Sequence, residues 1–140
     1  MTNKMITLLS VFAVFFITSC ATRVDFPNSE TVPGAEVSAK IKMDNNNNYK
    51  IDLTAVNLAS PDRLEPPREM YVVWIETSRG TKNLGQLNIS SGLFSEVKKG
   101  TLTTTTAFKP ERIVITAERT SSNNEPSSYV VTSSKNFELD

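Results

Sequence analysis

The sequence predicts an all-β sandwich, and three observations predict it. Apolar and polar residues alternate at a period of two in several stretches, the signature of strands with one buried face. Clusters of Gly, Pro, Asn and Ser interrupt those stretches at regular intervals. Beyond the first nineteen residues no stretch carries an apolar stripe at i, i+3, i+4, i+7, so helices have no sequence basis there.

Taken in order, Ala35, Val37, Ala39, Ile41 and Met43 alternate with Glu36, Ser38, Lys40 and Lys42, which predicts a first strand. Asp44 to Asn48 is a polar turn, because Asn tolerates left-handed backbone angles and bonds to its own backbone. Tyr49, Ile51, Leu53 and Ala55 then form the return strand of a hairpin. Ser60 to Glu69 holds Pro61, Pro66 and Pro67, which remove backbone donors and disfavour helix, so it reads as a loop crossing between sheets. Met70 to Ile75 is a continuous run of apolar, β-branched and aromatic residues, expected of a central strand covered on both faces, with Tyr71 and Trp74 as core anchors.

Gly80 turns the chain, and Leu84, Leu87 and Ile89 suggest a shorter strand in which Gly85 permits a bulge or a close approach. Leu102 to Phe108 alternates through a Thr run suited to a pleated surface. Arg112 to Glu118 puts Ile113, Ile115 and Ala117 on one face and Val114 on the other. A polar loop over 120–128 leads to a last strand at Tyr129 to Thr132, with Phe137 and Leu139 positioned to cover an edge. About seven short strands with turns between them argue an immunoglobulin-like sandwich in a single domain over 35–140.

The chain opens differently. Lys4 precedes an uncharged run from Ile6 to Ile17, too short to span a bilayer comfortably, since that needs roughly 20 apolar residues. It fits the apolar core of a secretory signal peptide over 1–19. The run closes in Ile17-Thr18-Ser19-Cys20, which resembles the lipobox of bacterial lipoproteins: an aliphatic residue, two small ones, then the cysteine that becomes the lipidated N-terminus. Cys20 is the sole cysteine of the chain. Ordinary signal cleavage near 18–21 and a retained anchor are the competing readings. By that resemblance Ala21, standing where an Asp would imply inner-membrane retention, favours the outer membrane. Residues 20–34, with Pro27 and Pro33 among polar residues, read as a flexible tether.

The strand Tyr71-Val72-Val73-Trp74-Ile75, the turn with Gly80, Leu84-Gly85-Gln86-Leu87, Ile113 to Glu118, the loop with Pro126 and the strand Tyr129 to Thr132 together resemble the extracytoplasmic β-sandwich of the anti-sigma-K factor family, over roughly residues 49–133. The resemblance implies the fold and an envelope-sensing or ligand-contacting role. It transfers no catalytic residues. The family's cytoplasmic helical domain and transmembrane helix have no counterpart here, so the grip on a sigma factor does not carry over.

Composition narrows the chemistry. The chain has no His, and lipid on Cys20 would leave neither the usual general base nor a thiol nucleophile, nor His/Cys zinc ligands. Near-neutral net charge offers no basic cluster for nucleic acid or for an anionic membrane surface, and Lys98-Lys99 reads as a solvated turn. Glu76, Glu111 and Glu118 remain as carboxylates that could act in pairs, though acids at strand ends are expected to be solvated or paired with Arg79, Arg112 and Arg119. Asp44, Asn46 and Asn48 copy the start of a calcium loop, but Tyr49 stands where Gly is needed and Ala55 where a bidentate Glu is needed. The expectation is a non-catalytic, lipid-anchored interaction or sensing module, without cofactor or metal, contacting an envelope protein. A carbohydrate- or small-ligand-binding module is the alternative.

Overall fold

The computed structural model describes residues 20–91 and 98–139, and the segment read as a signal peptide lies outside them. Nine strands form two antiparallel sheets. They are β1 (Thr22–Asp25), β2 (Glu36–Met43), β3 (Tyr49–Leu58), β4 (Met70–Thr77), β5 (Gly80–Gln86), β6 (Asn88–Ser91), β7 (Lys98–Thr106), β8 (Arg112–Glu118) and β9 (Val130–Ser133). One sheet has the order β1-β2-β3-β7-β6 and the other β5-β4-β8-β9. The chain changes sheet after β3, β5 and β7, which is the connectivity of an immunoglobulin-like sandwich with an added strand at its start.

The period-two stretches explain the core. Val37, Ala39 and Ile41 of β2, Ile51, Leu53 and Ala55 of β3, and Leu102 of β7 meet Tyr71, Val73 and Ile75 of β4 and Ile113, Ile115 and Ala117 of β8 between the sheets. Alternation turns one face of each strand inward, and removing those side chains from water drives the two sheets together. The β2–β3 hairpin closes through Asn47, whose φ of 62° is left-handed. In β5, Gly85 has φ 114°, and the register with β4 shifts between Val73 and Trp74, so of the two expectations at Gly85 the bulge is the one present; a Cβ there would meet nothing within 4 Å.

Three expectations need correction. Residues 22–25, placed in the flexible tether, form β1 and pair with β2 from Thr22↔Ile41 to Asp25↔Ser38. Val24 is buried there, so the folded domain begins at Thr22 rather than at residue 35. Leu87 and Ile89 do not extend β5: the chain crosses at buried Leu87, and β6 joins the opposite sheet beside β7. Lys98 and Lys99 lie in β7, paired with Ser91 and Ser90, rather than in a turn.

Strand β4 is covered on both faces, as its unbroken apolar run predicts. Tyr71, Val73 and Ile75 face the other sheet, while Val72 and Trp74 form a second cluster with Val114 on the outer face. Trp74 is nevertheless 0% exposed. Its indole N–H donates to Thr116 Oγ1 at 2.8 Å, Thr116 donates to Glu118 Oε1 at 2.6 Å, and the loop over 119–128 folds back to complete the cover. Asn83 Nδ2 holds that loop by donating to the carbonyls of Ser121 and Asn123.

Candidate functional site

Strand directions give the sandwich two distinct ends. At the proximal end lie Cys20, the 44–48 turn, the turn at Ser78-Arg79 and the 107–111 connection. Among the described residues, three long connections converge at the distal end, spanning 26–35, 59–69 and 119–129.

Those distal connections enclose an open groove of about 1010 Å³. Its apolar surface comes from Val32, Leu58, Leu64, Tyr129 and Val130, and its polar rim from Asn57, Arg63 and Glu65 among others. Each wall has a local cause. A register shift between Ala55 and Leu58, with Asn57 at φ 58°, bends the end of β3 and delivers Leu58 to the floor. Pro61–Arg63 forms one 3-10 turn, closed by Leu64 N–H on the Pro61 carbonyl at 3.2 Å, and Arg68 N–H returns to the same carbonyl at 2.9 Å. Asp62 accepts from the Ser60 hydroxyl, which lowers its carboxyl below the ordinary range. The Glu65–Pro66 peptide is cis.

The remaining wall is tied across long distances in sequence. Ser29 Oγ donates to the Val131 carbonyl and accepts Val32 N–H at 2.9 Å, and Thr31 Oγ1 donates to the Val130 carbonyl at 3.1 Å. Tyr129 donates through its hydroxyl to the Glu65 carbonyl at 2.9 Å, and the Arg68 guanidinium lies 4.7 Å from the centre of its ring. Beneath the rim, Tyr71 donates to the Ala59 carbonyl at 2.8 Å. Burial, followed by the influence of Tyr129, pushes the Tyr71 phenol above its ordinary pKa. The groove thus combines an apolar floor, one aromatic ring and charges of both signs, a surface suited to contact with a mixed apolar and polar partner.

The residues singled out from sequence fall in separate places. Cys20 is exposed, with Ala21 alone between it and β1. Tyr71 and Trp74 are fully buried on opposite faces of β4, so Trp74 offers no platform for a sugar ring. Glu76 pairs with Arg112 at 3.5 Å, as expected of an acid at a strand end, and Glu111 is exposed beside it, its N–H donating to the Glu76 carbonyl.

Glu118 departs from that expectation, being only 3% exposed at the other end of β8. Its Oε1 accepts from Thr116 and from Ser127 N–H at 2.8 Å, and its Oε2 accepts from Asn123 Nδ2 at 3.2 Å. Those bonds replace the water that the carboxylate loses, so Glu118 pins the loop instead of meeting solvent. Asp44 likewise serves its own turn, accepting from Asn46 and Asn48 N–H at 2.8 and 3.0 Å. Among the described residues no group of three or more acids or cysteines is placed to hold a metal ion.

The groove itself escaped the sequence reading, because it exists only once the connections at 26–35, 59–69 and 119–129 share one end. No protein family, curated protein or solved structure matches the chain.

Proposed function

We propose that the chain is a lipid-anchored, non-catalytic envelope module whose sandwich presents the distal groove to another envelope protein. The observation that carries this reading is the place of Cys20: exposed, directly ahead of the first strand, and directly after the apolar segment that ends in Ile17-Thr18-Ser19. Every described strand lies after Cys20, so cleavage there keeps all of them in the mature chain. The groove then lies at the end of the sandwich opposite the anchor. The separation of Glu118 from Glu76 and Glu111 along β8, and the engagement of both Glu118 oxygens, support a binding rather than a hydrolytic role. A sensing role is the finer form of this proposal, and it rests on the resemblance over 49–133.

Fractionation of cells expressing the full chain or Cys20→Ala tests the proposal. The wild type is expected in the membrane fraction in a mature form, and the variant as unprocessed precursor or as soluble domain. A wild-type chain recovered wholly soluble, beginning at Ala21, contradicts it.

A further inference from the structure

The near-neutral charge of the whole chain hides a separation of charge along the long axis of the sandwich. Among the described residues at the proximal end, the exposed cations Lys42, Arg79, Lys109 and Lys135 outnumber the exposed acids Asp44, Glu111 and Glu138, and half-buried Lys82 adds to them. Lys50 and Arg112 do not enter this balance, because Asp52 and Glu76 pair with them. At the distal end, among the described residues, the exposed acids Glu30, Glu36, Asp62, Glu65, Glu69 and Glu125 outnumber exposed Arg63, Lys99 and Arg119 even with half-buried Arg68 and Lys98 added. The same proximal end carries exposed Met43, at 45%, beside the 44–48 turn.

Cys20 lies at the cationic end. Two peptide links join it to Thr22, a reach of about 7 Å, so an acyl chain on Cys20 would bring the first turn of the sandwich to the headgroup layer. Such a link is too short to let the domain swing away as a longer tether would. Because β1 is an edge strand, the link alone permits the sandwich to stand on its proximal end or to lie along β1. Charge separates these postures. Each Lys or Arg near an anionic leaflet is attracted to it, and acids brought to the same surface oppose binding.

We propose that the proximal end is a membrane-contacting surface: its cations rest on anionic lipid headgroups, and the sandwich stands upright with the distal groove turned away from the bilayer. This rests on the lipid anchor at Cys20 proposed above and adds an orientation to it.

The mature lipidated chain in vesicles tests the orientation, because lipid consumes the sole native cysteine and leaves an introduced one free for labelling. A fluorophore is placed through Asn46→Cys at the proximal turn or Asn124→Cys in the distal loop. Vesicles of phosphatidylcholine, with or without phosphatidylglycerol, carry a headgroup-linked quencher. Expected is quenching several-fold stronger at 46 than at 124, increased by phosphatidylglycerol, with the increase lost in Lys42→Glu/Lys109→Glu. Equal quenching at the two positions, or no response to phosphatidylglycerol, overturns the inference. Mass spectrometry of the same samples keeps the two failures apart. An acylated Cys20 with equal quenching removes the orientation alone, whereas an unacylated Cys20 removes the anchor as well.

Discussion

The two ends of the sandwich are built by opposite means. At the proximal end the 44–48 turn and the turn at Ser78-Arg79 satisfy themselves. The Asp44 carboxylate accepts N–H groups two and four residues on, and Thr77 Oγ1 donates to the Gly80 carbonyl while accepting Arg79 N–H. At the distal end hydrogen bonds span 102 residues from Ser29 to Val131, 99 from Thr31 to Val130 and 64 from Tyr129 to Glu65. Local turns fix the register of a hairpin and cost little to lose. Long-range ties join three connections into one rim, and their loss is felt across the domain. The difference teaches where a binding surface can be built on this fold: connections held by distant partners keep a shape, and so can present a groove.

Substitutions should follow this division, and the largest effect belongs to the cluster beneath the distal loop. Trp74→Ala is expected to cost about 3–5 kcal/mol, the range for emptying a large aromatic from a packed interior, read as a lowered denaturation midpoint. Trp74 is the sole tryptophan, so its emission in the native wild type should be that of an apolar site. Water-like emission with an unchanged midpoint in the variant would break the account of the outer face.

Next comes Glu118→Ala, which strands the Ser127 N–H and the Thr116 hydroxyl. A cost of about 1–3 kcal/mol is expected for buried groups left without partners, together with faster amide exchange over 119–128. Loss of stability without loosening of that loop would argue against its being pinned by the carboxylate.

Tyr71→Phe removes one hydrogen bond to the Ala59 carbonyl, worth about 0.5–1.5 kcal/mol. Because the folded state holds the Tyr71 phenol above its ordinary value, this residue's contribution is complete below pH about 10 and declines as pH rises beyond it. Alkaline titration of stability should therefore fall less steeply in the variant, and equal slopes would contradict the burial.

The smallest effect is expected at the proximal end. Accepting from the backbone of Asn48, and further from Asn46, lowers the Asp44 carboxyl below its ordinary value of 3.8. The turn's support is thus present above pH about 4 and lost as pH falls through the lowered value. Asp44→Ala should destabilise slightly at neutral pH and match the wild type in acid. A variant defect that persists at low pH would assign Asp44 a different role.

What could be read from sequence divides along the same line. The β2–β3 hairpin, the two-sided strand β4 and the bulge at Gly85 are local patterns of alternation, turn chemistry and backbone freedom, and the structure bears them out. Strand β1 was hidden because four residues followed by Pro27 display too little alternation to separate from a spacer. Strand β6 was merged with β5 because Ile89, its one apolar residue, continues the alternation from Leu87, and all four residues are exposed, so nothing local marks the change of sheet. Glu118 sits at a strand end before a polar loop, where solvation is the ordinary expectation, and its partners Asn123 and Ser127 reach it only after that loop turns back. Gly100 shows the same limit: a Cβ there would stand 2.9 Å from Leu58 Cδ1 and 3.1 Å from Leu87 Cδ1, a close approach set by residues far away in sequence.

Amide hydrogen exchange on the mature chain tests most directly whether the distal connections form a fixed rim around the groove. The amides of Val32, Leu64, Arg68 and Ser127, each with a partner in the rim or beneath it, are predicted to exchange nearly as slowly as those of the central strands β3 and β4, and far more slowly than those of Asn46 and Arg79 at the proximal turns. Exchange at the four distal amides as fast as at those turns would show the rim to be loose, and the groove would lose its standing as a preformed binding surface.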